Sequence, residues 1–402
     1  MFELNEEQRM VERVFRQFSE KELYPRVEKF ESGEALPYDL MRKMNKELIG
    51  GDQRGEALIA QLEKREKGKD SKEAEESRRQ DPLISSIISK ELSRVSPGFC
   101  MSWGASIGLC GGNIASKGTP DQIRTYAIPV ITMEKIGAWG LTEPGAGSDA
   151  IGSMVTTARP KGDTYILNGS KTFITNAPYA DTFLIYAKID RGQPKHEQHA
   201  HGFILERGMK GLSTGKPLKK MGMKDSPTGE IFMEDVVVPA ENLLGGVEKQ
   251  GGRDEVRMSL GNERSGICPM CLGIIEKCYE LSIKYAKERI QFGRPIGEFQ
   301  AIQLKLADMY IGLKNSWDII FHLAWMSKTG KRDMAYVCAA KVYTARAAVQ
   351  AGLDAIQIHG GYGYMEEYRV EKLMRDAKLL EIGAGTTDIN ALYTARIELG
   401  LT

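Results

Sequence analysis

The stretch Arg375–Asn390, RDAKLLEIGAGTTDIN, joins a helical pattern to a turn bracketed by glycines. Apolar residues from Val370 to Leu380 recur at helical spacing, and Gly383-Ala384-Gly385 then breaks the pattern. Gly383 and Ala384 leave free volume where larger side chains would otherwise stand. Upstream, the same periodicity marks Ile267–Arg289, Phe299–Thr329 and Asp333–His359. Four helices of these lengths suit a four-helix bundle.

Further toward the N-terminus the pattern changes. Thr164–Leu167, Thr182–Lys188, Gly202–Glu206 and Glu230–Val238 are rich in β-branched and aromatic residues, with Gly, Pro and Asp turns between them. Ahead of them, Glu7–Leu23 and Leu83–Val95 are again helical. The chain therefore predicts an α+β protein with a helical N-terminal domain (1–136), a central β domain (137–245) and a C-terminal helical bundle (246–402). One segment stands apart: between Glu63 and Arg79, thirteen of seventeen residues are charged, seven positive and six negative. It reads as a solvated helix or mobile loop with compensating charge.

Bulk properties exclude several classes. The 402 residues are 42% hydrophobic and 27% charged, with a net charge of +1 and no long basic stripe, so nucleic acid is not an expected partner. No apolar run approaches the roughly 20 residues that cross a bilayer. The N-terminus enters an amphipathic helix at once, without a signal or transit pattern, which points to a cytoplasmic protein. Six cysteines in so long a chain do not suggest a disulfide framework. Cys268-Pro-Met-Cys271 lacks a second zinc-type pair nearby, and His196, His199 and His201 fall in a hydrophilic loop, so no metal site is expected.

Five segments carry more specific information: AWGLTEPGAGSDA (138–150), KTFITNAPYAD (171–181), ERIQFGRPIGEFQ (288–300), QIHGGYG (357–363) and RDAKLLEIGAGTTDIN (375–390). In this order they resemble the signature segments of the acyl-CoA dehydrogenases. The resemblance implies FAD as cofactor. Leu141 and Thr142 would then meet the flavin ring, with Thr142 donating toward N5. Phe173 and Thr175 would lie against the ring, and Ser148 would contact the pyrophosphate or the CoA arm. Arg289, Gln291 and Phe292 would reach a neighbouring subunit's FAD, with arginine on pyrophosphate and an aromatic ring on adenine. Gln357, Gly360 and Gly361 would let backbone approach the adenosine end, with Thr386 and Asp388 as further cofactor contacts. A homotetramer, built as a dimer of dimers, follows from the same resemblance.

Most of that family carries a catalytic glutamate where this chain has Ala384. Alanine removes the carboxylate but keeps the backbone N–H, which the resemblance makes a donor to the thioester oxygen as enolate charge develops there. The isovaleryl-CoA dehydrogenase-like branch takes its base from the start of an earlier helix, at a Glu-Arg pair. Here that pair is Glu263-Arg264, within LGNERSGI. Glu263 is thus the expected base and Arg264 a residue that positions the site; the simpler role for Glu263 is to favour a helix N-terminus. Gly383 and Ala384 favour a branched, alicyclic or aryl-bearing acyl group. Ser102–Ser106 match the helix lining the acyl pocket, with Phe99 and Trp103 as its floor. Where glutaryl-type relatives place an arginine, this chain has Cys100.

The expected function is FAD-dependent dehydrogenation of an acyl-CoA thioester to the 2,3-enoyl-CoA, with electrons passed to an electron-transferring flavoprotein. The alternatives are a glutaryl- or benzylsuccinyl-type dicarboxylic acyl-CoA dehydrogenase, an acyl-CoA oxidase using dioxygen, and a non-catalytic binding protein that kept the fold.

Overall fold

A computed structural model describes residues 3–66, 81–248 and 252–401. The N-terminal region is helical, with α1 (Glu6–Phe18), α2 (Tyr38–Glu47), α3 (Gly51–Glu66), α4 (Pro82–Ser93) and α5 (Pro97–Gly104) as its main elements. Local chemistry starts these helices. Asn5 and Gln8 form a capping box on α1, and Asp81 accepts from Leu83 N ahead of Pro82, which opens α4. The charged segment read from sequence lies outside the described residues, apart from Glu63–Glu66 at the end of α3.

The middle region is a seven-stranded sheet of β1 (Gly137–Gly140), β2 (Thr157–Lys161), β3 (Thr164–Thr175), β4 (Thr182–Ile189), β5 (Ala200–Glu206), β6 (Leu212–Thr214) and β7 (Thr228–Pro239). Its order is β1-β4-β2-β3-β7-β6, with β5 also paired to β4. All eight residues of β4 are buried, as befits a strand covered on both faces. The long β3–β7 pairing slips register between Lys171 and Ile174, so Thr172 and Phe173 form a bulge.

The C-terminal region holds α6 (Gly252–Glu288), a small hairpin of β8 (Ile290–Gln291) and β9 (Arg294–Pro295), then α7 (Gln300–Thr329), α8 (Met334–His359), α9 (Val370–Ile382) and α10 (Thr387–Glu398). The helix α10 was not anticipated, because its polar and apolar residues are poorly segregated. Small residues on α8 let its neighbours approach. A Cβ at Gly352, for instance, would lie only 2.8 Å from Met374 Cα on α9.

A single hydrophobic cluster runs through all three regions, from Phe15 to Ala384. Buried charge pins them together as well. Lys372 and Asp376 on α9 face Asp225, which sits ahead of β7, and Ser96 ahead of α5 donates to Asp225. No described helix is long and apolar enough to cross a membrane.

Candidate active site

The end of β1 is fixed by an ion pair that the sequence did not reveal. Lys171 Nζ donates to Glu143 Oε1 at 2.8 Å and to the Leu141 carbonyl at 3.1 Å, with both side chains buried. The other donors to Glu143 are the backbone amides of Val155 and Thr156. Burial draws the Lys171 pKa down to about 8, while Lys171 and the amide donors hold the Glu143 carboxyl below the usual range despite its own desolvation. Both groups are therefore charged at pH 7, and Leu141 and Thr142 hang from a rigid support.

Beside this support, Thr172 N donates to the Thr142 carbonyl at 2.9 Å. The next residue, Phe173, has φ +58° and is 70% exposed. An aromatic residue in the left-handed region is costly, and such strain concentrates at functional sites. Thr142, Phe173 and Thr175 thus share the end of the β1–β3 junction, and the exposed ring offers an apolar surface of the kind a flavin ring needs. Ser148 lies in the exposed turn after β1.

A second cluster forms at the far end of α6. A groove of about 560 Å³ is lined by Tyr285, Arg289, Gln291, His359, Gly360 and Gly361, among others. Arg289 sits 5.7 Å over the Tyr362 ring, and His359 stacks on Tyr285 at 4.3 Å. Gly360 takes φ +61° and donates its N–H to the Gln357 carbonyl, while the Gln357 side chain is exposed and outside the groove. Phe292 and Gly293 make the two-residue β8–β9 turn, both with positive φ (+53° and +78°). Such a turn favours Asn-Gly or Gly-Gly, yet it carries a phenylalanine here, 94% exposed. A cationic, glycine-floored groove with a projecting aromatic ring fits the adenosine and pyrophosphate end of FAD.

The third cluster brings Glu263 and Ala384 into one neighbourhood. The helix α6 starts at Gly252, so Glu263 lies about three turns inside it and not at a helix start. The helix-terminus role for Glu263 therefore loses its footing. Among the described residues Glu263, half-buried, makes no hydrogen bond or ion pair. Desolvation pushes its pKa up to about 7, against the pull of Arg264 and Lys341. Arg264 Nε donates to the Ala384 carbonyl at 3.2 Å, and its Nη1 lies 3.7 Å from Met334 Sδ and 3.6 Å from Cys338 Sγ. Lys341 Nζ donates to the carbonyls of Glu381 and Gly385, at 3.0 and 2.8 Å. Ala384 is buried at φ +53°, and its N–H has no acceptor among the described residues.

Trp103 turns toward the N-terminal helices, its indole N–H directed at Asn45 of α2, and Phe99 is fully buried 6.4 Å from Phe18. Neither is exposed as a pocket floor. Thr386 caps α10 by accepting from Ile389 N, and Asp388 is exposed in that helix's first turn. Gly383 sits at the end of α9, its N–H donated to Leu379. Among the described residues no group of three His, Cys, Asp or Glu is placed to hold a metal.

Comparison with known proteins settles what this arrangement belongs to. Residues 138–236 match the acyl-CoA dehydrogenase middle domain, and residues 250–399 match the acyl-CoA dehydrogenase C-terminal domain. The chain belongs to the acyl-CoA dehydrogenases. A short-chain-specific acyl-CoA dehydrogenase of Clostridium acetobutylicum is 36% identical over 97% of this chain and 97% of its own length. The mitochondrial isovaleryl-CoA dehydrogenase of Oryza sativa subsp. japonica is 40% identical over 78% of this chain and 75% of its own. The butyryl-CoA dehydrogenase structure from Megasphaera elsdenii superposes with a TM-score of 0.88 at 33% identity, covering 99% of this chain and 100% of that one. Acyl-CoA dehydrogenases are FAD-dependent oxidoreductases.

Proposed function

We propose that this acyl-CoA dehydrogenase forms a 2,3 double bond in a branched, alicyclic or aryl-substituted acyl-CoA, with Glu263 as the base. The reading rests on one observation: a carboxylate without a hydrogen-bond or ion-pair partner among the described residues, its pKa raised to about 7, adjoins Arg264, which holds the Ala384 carbonyl. Bound FAD supplies the acceptor for the C3 hydride. The remaining chemistry falls to the chain. The C2 proton goes to a Glu263 oxygen, and the electrons of the broken C2–H bond become the new C2=C3 bond as hydride leaves C3. The Ala384 N–H meets the thioester oxygen, where negative charge grows.

The platform at Leu141, Thr142, Phe173 and Thr175 holds the flavin ring of the same subunit in this reading. Arg289, Gln291 and Phe292, with Gly360 and Gly361, serve the FAD of a neighbouring subunit in a homotetramer. A ring 94% exposed at a strained turn, with only an edge contact to Phe299 among the described rings, supports that assignment. Electrons then pass to an electron-transferring flavoprotein.

The test is anaerobic flavin bleaching with butyryl-, isovaleryl-, glutaryl- and 3-phenylpropionyl-CoA. Bleaching by isovaleryl- or 3-phenylpropionyl-CoA at the highest kcat/KM is expected. Preference for glutaryl-CoA would overturn the substrate class, and failure of every thioester would overturn the enzyme reading. Rapid peroxide formation in air would place the protein among oxidases instead.

A further inference from the structure

We propose that Lys341 is a positioning residue, whose ammonium fixes the Gly383–Gly385 turn so that the Ala384 N–H faces the substrate and supplies a second cation near Glu263. This rests on the reading of Glu263 as base and Ala384 as donor. Lys341 lies on α8 with no exposed surface, and among the described residues it has no carboxylate within ion-pair distance. Its two donated hydrogen bonds go to carbonyls instead. One acceptor, Glu381, is at the C-terminal end of α9, where the helix dipole favours a cation; the other, Gly385, is beyond the turn.

Two further side chains hold carbonyls in and just after the turn. Arg264 takes that of Ala384, and Asn390 Nδ2 takes those of Gly385 and Thr386, at 2.7 and 3.0 Å. Side chains from α6, α8 and α10 therefore all pull on the carbonyl side of one turn. These contacts fix the peptide groups that follow Ala384, and the Ala384 N–H has no acceptor among the described residues. Held in this way, Ala384 keeps φ +53°, which an untethered alanine would avoid.

Electrostatics gives the same ammonium a second effect. The groups facing Lys341 are Glu263, Arg264, Cys268 and Cys271 from α6 and Cys338 from α8 itself, while α9 and the turn after it contribute carbonyl oxygens and α10 the Asn390 amide. Burial lowers the Lys341 pKa to about 8. Its charge is present as Glu263 ionises near 7 and is lost as pH rises through about 8. Turnover should then fall again on the alkaline side.

The experiment compares Lys341→Met, Lys341→Arg and Asn390→Ala as FAD-loaded enzymes. It uses the pH profile of kcat and the absorbance formed with a 3-thia-acyl-CoA, which loses its C2 proton but has no C3 hydride to give. Lys341→Met should shift the acid limb upward by about one pH unit and lower kcat roughly tenfold or more, with KM changed less. Asn390→Ala should lower kcat without moving the acid limb. Lys341→Arg, which keeps its charge at all assay pH values, should retain the acid limb and lose the alkaline fall. A Lys341→Met enzyme with wild-type limbs and kcat overturns the proposal. If that variant does not fold, an alkaline fall that persists in Lys341→Arg overturns it equally. Glu263→Gln assayed in parallel separates the readings: full activity there defeats the base assignment, whereas its inactivity beside a normal Lys341→Met enzyme defeats only the role of Lys341.

Discussion

Arg264 donates from Nε to the carbonyl oxygen of Ala384 at 3.2 Å, tying the residue next to the candidate base to the residue that lacks one. The two parts of the site, 120 positions apart in sequence, are thus held in one frame. A carboxylate carried by α6 can serve a turn after α9 because a single guanidinium spans them.

Replacing Glu263 by glutamine should lower kcat by about 10²–10⁴-fold with FAD content unchanged. In the wild type the base works only when deprotonated, so the acid limb of kcat should rise with pH through the Glu263 pKa of about 7, ahead of the alkaline fall assigned to Lys341. Steady-state rates between pH 5.5 and 9 check both points. A wild-type profile flat from pH 5.5 upward would contradict the raised pKa.

The same carboxyl has a stability signature. Its folded pKa lies above the unfolded value of roughly 4.3, so the fold disfavours its ionisation. Stability conferred by the neutral form is complete below the unfolded pKa and lost as pH rises through about 7. Glu263→Gln should therefore melt higher than wild type at pH 8, and the difference should vanish near pH 4. Equal melting temperatures at pH 8 would refute it.

Moving the carboxylate tests the geometry. Glu263→Gly should be inactive, and adding Ala384→Glu should restore measurable flavin bleaching, since the proposed mechanism places both positions at the same substrate carbon. Ala384 already sits at positive φ, so a glutamate there adds side-chain bulk but no new backbone strain. A folded, FAD-loaded double variant with no recovery would count against the arrangement.

Lys171→Met should unfold more easily. It leaves Glu143 buried with its two amide donors but no cation, a change that typically costs about 3–5 kcal/mol. Thermal melting should show a clearly lower transition, and FAD should be released more readily because Leu141 and Thr142 lose their anchor. An unshifted transition would mean that the pair contributes little.

The adenosine groove separates two kinds of variant. Phe292→Ala removes a solvent-exposed ring, so the melting temperature of FAD-free protein should not change. Arg289→Ala removes a charged donor, worth roughly 1.5–3 kcal/mol where it meets an anion. Both should weaken FAD retention on gel filtration. Retention equal to wild type in both variants would remove the groove from the cofactor site.

Much of this was legible in the primary structure. The helical and β-branched periodicities mark the α, β, α order because each reports a repeating buried face. The five segments revealed the family, and the missing carboxylate at Ala384 directed attention to Glu263. Local pattern does not show partnerships across the fold. Glu143 and Lys171 are 28 positions apart and neither looks unusual alone. Lys341 did carry a signal, as a lone lysine in the alanine-rich run AAKVYTARAAV, but only the turn beyond α9 explains it. Trp103 is the opposite case. Its place in the motif was clear, yet side-chain direction depends on a helix packing against Asn45, which no motif encodes.

Phe173, Phe292 and Ala384 share a left-handed backbone that glycine would adopt without penalty. A screen that rewards heat resistance alone should therefore welcome glycine at all three. Under the proposed function, such a screen would erase the flavin platform and the adenosine-groove ring and loosen the turn that presents the Ala384 amide. In this enzyme the positions most tempting to a stability engineer are the ones to leave alone.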